Sequence, residues 1–165
     1  MDNMDFLIVD DELPIREWLK LTVEKTLGTE NRINCASNGS EALDLFLKHK
    51  PKIVITDIKM PVMDGIQLLR QIRLHEADTY VVMLTSYSDF NYVRNALSLK
   101  ADEYVLKNEI TSQTISEIMN RCIDKLNRKK QVYTVDLQIK RTLFFREIMS
   151  SGHTFSHQSE ERLKE

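Results

Sequence analysis

Residues 53–65 read Ile-Val-Ile-Thr-Asp-Ile-Lys-Met-Pro-Val-Met-Asp-Gly, a short apolar run that ends on an acid and continues into a turn-forming loop. The run Ile53–Thr56 predicts a strand that is buried on both faces. Asp64 is placed to cap a helix whose apolar residues recur at helical spacing: Ile66, Leu68, Leu69 and Ile72. The stretch therefore predicts a strand, a polar loop and an amphipathic helix, in that order.

The same alternation occurs upstream of this stretch. Phe6–Val9 predicts another buried strand, and Pro14 lies where the first turn of a helix tolerates proline. A weaker strand is predicted over Ile33–Ala36. Ser40 is then expected to cap a second helix, which ends before Pro51.

Downstream, strands are predicted over Tyr80–Thr85 and Glu103–Leu106. Helices are expected to begin at Ser88 and near Thr111 or Ser112. Buried strands that alternate with amphipathic helices predict an α/β domain with a parallel sheet. Right-handed crossovers place helices on both faces of that sheet, but the residues alone do not give the strand order.

Polar residues stand at the C-terminal ends of four predicted strands: Asp10, Asp11, Asp57, Thr85 and Lys107. In an open parallel sheet these ends share one edge, where such folds bind ligands. Three carboxylates, one hydroxyl and one ammonium are therefore expected to meet in one small site. The alternative, in which the acids are ordinary loop residues and helix caps, is the interpretation we adopt for Asp64.

Clustered carboxylates repel one another strongly. Two unit charges about 4 Å apart cost roughly 4 kcal/mol at an effective dielectric constant near 20. They stay together only if a cation joins them or one of them remains protonated, and an incomplete all-oxygen site suits Mg²⁺. A neighbouring lysine and hydroxyl can neutralise and hydrogen-bond a phosphoryl group, and a carboxylate can accept one covalently.

The residues from Asp2 to about Arg128 resemble the CheY-like receiver domain of two-component response regulators. The resemblance is carried by four motifs in order: Val9-Asp-Asp-Glu12, Thr56-Asp-Ile-Lys-Met-Pro-Val-Met-Asp-Gly65, Leu84-Thr-Ser86 and Asp102-Glu-Tyr-Val-Leu-Lys107. It implies a flavodoxin-like, doubly wound five-stranded parallel sheet of order 2-1-3-4-5, which brings the first and third strands together.

The resemblance also implies roles for individual residues. Asp57 is expected to accept the phosphoryl group from a sensor histidine kinase. Mg²⁺ is expected to bind Asp57, Asp11 and the backbone carbonyl of Lys59, with Asp10 acting largely through bound water.

The remaining roles concern the phosphoryl group and the switch. Lys107 is expected to pair with a phosphoryl oxygen, and Thr85 and the amide of Ser86 to hydrogen-bond others. Tyr104 matches the aromatic switch residue, whose ring turns inward when Thr85 moves. One position departs from the family, since Asn108 stands where receivers usually have a proline after a cis peptide bond. Either the strained bond is retained or the loop is rearranged.

A helical extension, residues 129–165, is expected after a receiver domain over residues 1–128. Two heptad positions are occupied by Met119, Leu126, Tyr133 and Lys140, and by Ile123, Lys130, Leu137 and Phe144. This broken seam suits a helix that pairs with its twin in a homodimer, whereas a helix folded back on its own receiver is the alternative. A helix end is expected at Gly152.

The string Tyr87–Ala96 resembles the fourth helix of receivers attached to AraC-type helix-turn-helix outputs, and Lys140–Gly152 resembles the linker after them. DNA contact is therefore expected only through an output domain outside this chain. The predicted function is a phosphorylation switch for transcription, without enzymatic turnover of a substrate. The alternatives are a stand-alone receiver that binds a partner protein, a phosphatase with an aspartyl nucleophile, and a receiver that no longer accepts phosphate.

The composition agrees with a cytoplasmic globular protein. The 165 residues are 42% hydrophobic and 29% charged, and the net charge of −2 does not favour direct nucleic-acid binding. Neither a signal peptide nor an apolar run of membrane-spanning length is recognisable. Cys35 and Cys122 are too isolated to form a metal motif and are expected to be reduced.

Overall fold

The computed structural model describes residues 5–86 and 98–161. The strands in these ranges are β1 (Asp5–Val9), β2 (Arg32–Ala36), β3 (Ile53–Asp57), β4 (Tyr80–Thr85) and β5 (Glu103–Leu106). The helices are α1 (Leu13–Leu27), α2 (Gly39–His49), α3 (Gly65–His75) and α4 (Ser112–Glu161), with a 3₁₀ turn over Lys107–Glu109. The predicted fourth helix, beginning at Ser88, and the string Tyr87–Ala96 lie outside the described residues.

The described strands form one parallel sheet of order β2-β1-β3-β4-β5, which confirms the predicted topology. β3 and β4 are buried throughout, as expected for central strands covered on both faces. On one face, Leu7, Val9 and Val54 pack with residues of α2 and α3. The alternate strand residues point to the other face of the sheet. Buried side chains of α1 and of the first turns of α4, such as Leu19 and Ile115, belong to that side.

Three of the four predicted helix starts that fall in the described residues are confirmed, and one of them is the start of α4 at Ser112. Pro14 occupies the first turn of α1. Asp64 caps α3 in a reciprocal capping box with Gln67. The predicted cap of α2 is wrong, because Asn38 rather than Ser40 accepts the hydrogen bond from the amide of Glu41, at 3.0 Å.

The start of α2 is shifted for a tertiary reason. The amide of Gly39 donates to the carbonyl of Met63 in the loop after β3, at 3.0 Å. A Cβ at residue 39 would lie 2.6 Å from that carbonyl oxygen, so the first helical position must be glycine for the two segments to approach. The contact fixes the helix start at Gly39 and leaves Asn38 as its cap.

The C-terminal part differs from the prediction in one respect. α4 is a single helix through Glu161, so the predicted helix end at Gly152 is wrong. A glycine inside a helix costs about 1 kcal/mol relative to alanine, and no proline follows it to stop the helix. The chain divides into two units, Met1–Cys122 and Ile123–Glu165, and the second consists of this helix in its described residues.

Candidate phosphorylation site

The strand register brings the predicted polar residues to one edge of the sheet. Val9 of β1 pairs with Thr56 of β3, so the residues that follow them, Asp10 and Asp57, come side by side. In the same way Thr85 of β4 pairs with Leu106 of β5, the residue before Lys107. The convergence predicted from four separate strand ends is therefore present.

The three predicted acids form one cluster. Carboxylate oxygens of Asp10, Asp11 and Asp57 all lie within 4.8 Å of one another. Asp10 and Asp57 are buried, whereas Asp11 is exposed at the rim. Two buried negative charges beside a third need a compensating cation, as expected from their repulsion.

Lys107 supplies the first compensating charge. Its Nζ lies 2.8 Å from Oδ2 of Asp57 and 2.9 Å from Oδ2 of Asp10. The side chain of Lys107 is 9% exposed, so these ion pairs are largely shielded from water. Burial lowers the pKa of Lys107, but its bonds with Asp57 and Asp10 outweigh that effect and raise the pKa above its usual value. The ammonium is therefore charged at neutral pH.

One carboxylate oxygen of Asp10 is paired with Lys107 by charge but accepts no hydrogen bond of acceptable geometry among the described residues. This oxygen is Oδ2, whereas Oδ1 accepts the amide of Glu12 at 2.9 Å. Burial raises the pKa of Asp10, and the charge of Lys107 only partly opposes this. A buried carboxylate oxygen without a hydrogen bond, beside two further carboxylates, fits a small divalent cation that prefers oxygen ligands.

The loop after Asp57 is held close to the Asp57 side chain by backbone contacts. The amide of Ile58 donates to Oδ1 of Asp57 at 2.7 Å and lies 3.0 Å from the carbonyl of Leu84. The amide of Gly65 donates to the carbonyl of Ile58 at 2.9 Å. The loop thus returns to the end of β3, and one oxygen of Asp57 is oriented while the other faces Lys107.

The departure at Asn108 is resolved by a rearranged loop. Within the described residues no peptide bond is cis, so the bond between Lys107 and Asn108 is trans. Lys107 begins the 3₁₀ turn instead, with Ile110 donating to its carbonyl at 3.4 Å. The ammonium still reaches Asp57, which shows that a proline at 108 is not required for that contact.

The other predicted residues occupy the expected elements. Thr85 is 3% exposed at the end of β4, and Ser86 follows it on the surface. Tyr104 of β5 packs against the core cluster, and its hydroxyl is buried without a described hydrogen-bond partner. Lys59 lies in the exposed loop two residues after Asp57.

Two contacts at the site were not predicted. The guanidinium of Arg16, in the first turns of α1, donates to the backbone carbonyl of Asp10. The carboxylate of Glu12 lies 3.3 Å from Nζ of Lys107. The run of three acids, Asp10 to Glu12, is visible in the sequence, but the contact of Glu12 with Lys107 joins residues 95 positions apart and has no local signal.

Comparisons with known proteins agree with this geometry. Residues 6–120 match the family described as the response regulator receiver domain. Regulatory protein AtoC of Escherichia coli K12 is 37% identical over 126 residues, which are 76% of this chain and 26% of AtoC. Transcriptional regulatory protein HptR of Staphylococcus aureus N315 is 42% identical over 101 residues, which are 61% of this chain and 39% of HptR.

Solved structures give the same result for the fold. A response regulator receiver domain protein from Clostridium thermocellum superposes with a TM-score of 0.69 at 32% identity, over 78% of this chain and 98% of that chain. The receiver domain of AraT, a response regulator from Geobacillus stearothermophilus, superposes with a TM-score of 0.69 at 29% identity, over 77% of this chain and 98% of that one.

The chain belongs to the response regulator receiver domain family. Receiver domains of this family are signalling domains, and the curated relatives above are regulatory proteins, one of them named as transcriptional. The chain spans 26% and 39% of the lengths of AtoC and HptR. Among the described residues, no helix has the length and apolar character needed to cross a bilayer.

Proposed function

We propose that this chain is the receiver of a cytoplasmic transcription regulator, and that a sensor histidine kinase transfers a phosphoryl group to Asp57. The observation that carries the proposal is the contact of Lys107 with Asp57 inside the cluster of Asp10 and Asp11. An acceptor carboxylate, a charged ammonium and two further oxygen donors are the parts that aspartyl phosphorylation needs.

The proposed chemistry follows from the charges. An oxygen of Asp57 attacks the phosphorus, the bond from phosphorus to the histidine nitrogen breaks, and an acyl phosphate forms. Mg²⁺, held by Asp57, Asp11 and the carbonyl of Lys59, with Asp10 acting largely through water, would neutralise the phosphoryl oxygens. Lys107 would exchange its bond with Asp57 for one with a phosphoryl oxygen.

The proposed switch involves the two strands beside the acceptor. A phosphoryl group adds about −1.5 to −2 charges and three strong acceptors. The hydroxyl of Thr85 and the amide of Ser86 would turn toward these acceptors. Tyr104 packs against the core cluster and stands in the neighbouring strand, two residues before Leu106, the strand partner of Thr85. The buried hydroxyl of Tyr104 supports a residue with two orientations, because a buried hydroxyl without a partner is costly.

A place for the phosphodonor lies beside the site. A pocket of about 280 Å³ is lined by Lys107 and by four apolar residues: Pro14, Ile15, Trp18 and Ile110. Leu13 and Leu21 add exposed apolar surface on the same helix, α1. An open apolar pocket that includes the site lysine suits a helix of the kinase that carries the phosphorylated histidine.

The proposed readout is through α4 and an attached output domain. Leu137 and Phe144, which share a heptad position, are 49% and 61% exposed, and Val135 and Ile139 are exposed as well. A helix with such exposed apolar residues gains stability by pairing, so we propose a homodimer. The resemblance of Tyr87–Ala96 to receivers with AraC-type outputs supports DNA binding through such a domain. A stand-alone receiver that binds a partner protein is the alternative.

The chemistry can be tested without the kinase. Acetyl phosphate with Mg²⁺ is expected to add the mass of one phosphoryl group to the wild-type protein and none to Asp57→Asn, as measured by intact-mass spectrometry. Chelation of Mg²⁺ should prevent the addition. Equal labelling of both proteins would contradict the proposal.

A further inference from the structure

Lys107 has a third carboxylate partner besides the two buried acids. Oε1 of Glu12 lies 3.3 Å from its Nζ, compared with 2.8 Å for Asp57 and 2.9 Å for Asp10. The side chain of Glu12 is 57% exposed, so this partner lies at the mouth of the site. The ammonium is therefore held from inside by two acids and from outside by one.

The backbone of Glu12 is fixed on both sides. Its amide donates to Oδ1 of Asp10 at 2.9 Å, and its carbonyl accepts the first helical hydrogen bond of α1 from Arg16 at 3.1 Å. Glu12 occupies the N-cap position of α1, yet its side chain makes no capping hydrogen bond. Shorter acceptors such as Ser or Asp are the residues that cap helices well. The longer glutamate reaches Lys107 instead.

We propose that Glu12 is a positioning residue that restrains the ammonium of Lys107 before phosphorylation and competes with the phosphoryl group for it. The inference rests on the proposed function of Asp57 and adds a regulatory role at the same site. Lys107 must leave its resting partners to reach a phosphoryl oxygen. Whatever stabilises the resting position lowers the affinity of the site for the phosphoryl group by the same factor.

The expected size follows from the exposure of the pair. Exposed ion pairs are weak, so loss of the Glu12 contact should strengthen binding of a phosphoryl analogue only by roughly twofold to fivefold. A direct contact can be distinguished from simple repulsion of the anion. Glu12→Gln removes both the charge and the ion pair, whereas Glu12→Asp keeps the charge but is one methylene too short for the same contact.

The test is isothermal titration calorimetry of the full chain with beryllofluoride at saturating Mg²⁺. Both Glu12→Asp and Glu12→Gln are expected to bind beryllofluoride roughly twofold to fivefold more tightly than wild type. Glu17→Gln, which removes an exposed acid from the same helix, should bind like wild type.

Other outcomes overturn the inference in distinguishable ways. If only Glu12→Gln tightens binding, Glu12 acts by charge repulsion and not by holding Lys107. If neither variant changes the affinity, or if Glu17→Gln changes it equally, Glu12 has no special role. If wild type itself does not bind beryllofluoride with Mg²⁺, the proposed function fails, and this inference fails with it.

Discussion

Nζ of Lys107 lies 2.8 Å from Oδ2 of Asp57, although the two residues are 50 positions apart and belong to different strand ends. The contact forms with a trans peptide bond after Lys107 and without the proline that receivers usually have at the next position. The lysine is thus placed by the end of β5 and the 3₁₀ turn.

The first prediction concerns this lysine. In the presence of Mg²⁺, Lys107→Ala should need about tenfold or more beryllofluoride to reach half of the spectral change, because a charge-assisted bond of about 1.5–3 kcal/mol is lost. The variant should remain folded by circular dichroism. Lys52→Ala, an exposed lysine at the opposite end of β3, is the matched control. An unchanged response in Lys107→Ala would show that Lys107 does not take part in binding the phosphoryl analogue.

The second prediction concerns the buried acid Asp10, whose pKa is raised by burial. A carboxyl group that binds its proton more tightly in the folded state than in the unfolded state costs stability when it ionises. That cost is absent below the unfolded pKa and is complete above the folded pKa. In Mg²⁺-free buffer, Asp10→Asn should therefore be more stable than wild type at neutral pH, and the difference should shrink as the pH falls. Thermal unfolding over a pH series measures it.

The matched comparison for Asp10 is the exposed acid Asp11. Asp11→Asn should show a smaller gain in stability, because its carboxylate is solvated. Both variants should lose Mg²⁺ affinity. An Asp10→Asn protein that is less stable than wild type at neutral pH without Mg²⁺ would show that the bond with Lys107 outweighs burial.

The third prediction concerns the close approach of Gly65 to the backbone of Asp57. A Cβ at residue 65 would lie 2.0 Å from the backbone carbonyl oxygen of Asp57. Gly65→Ala should cost about 1–3 kcal/mol or more of unfolding free energy, because neither backbone segment can move without displacing the site. Gly39→Ala is the comparison with a milder clash, since its Cβ would lie 2.6 Å from the carbonyl oxygen of Met63. Urea unfolding should rank Gly65→Ala as the more damaging, and the reverse order would contradict the contact.

The fourth prediction concerns assembly through α4. The full chain should show a concentration-dependent dimer in analytical ultracentrifugation, and a chain ending near Arg128 should dimerise more weakly. The double variant Leu137→Ala with Phe144→Ala should also weaken the dimer, because it removes exposed apolar area from one heptad position. Gln138→Ala, elsewhere on the same helix, is the control. A full chain that stays monomeric at high concentration would exclude the paired helix.

Much of the fold and site followed from the sequence because the informative patterns are local. Each buried strand is a short apolar run, and the acids Asp10 and Asp57 stand where such runs stop. Their meeting at one edge is a consequence of parallel strands. The strand order needed the family resemblance, because crossover connections of similar length allow several orders.

The features that were missed depend on contacts between distant segments. Asn38 and Ser40 are both good caps, and the contact of Gly39 with Met63 decides between them. Glu12 meets Lys107 across 95 positions of the chain, a contact that no local pattern indicates. Gly152 resembles a helix end, but one glycine without a following proline did not stop α4.

The measurement that tests the central claim most directly is chemical trapping of the acyl phosphate. Sodium borohydride reduces an aspartyl phosphate to homoserine, so the protein is treated with acetyl phosphate and Mg²⁺, reduced, digested and sequenced by tandem mass spectrometry. Homoserine is predicted at position 57 alone, with none when Mg²⁺ is chelated. Homoserine at Asp10 or Asp11, or an unreduced aspartate at 57 in a protein that has gained a phosphoryl group, would contradict the assignment of Asp57 as the acceptor.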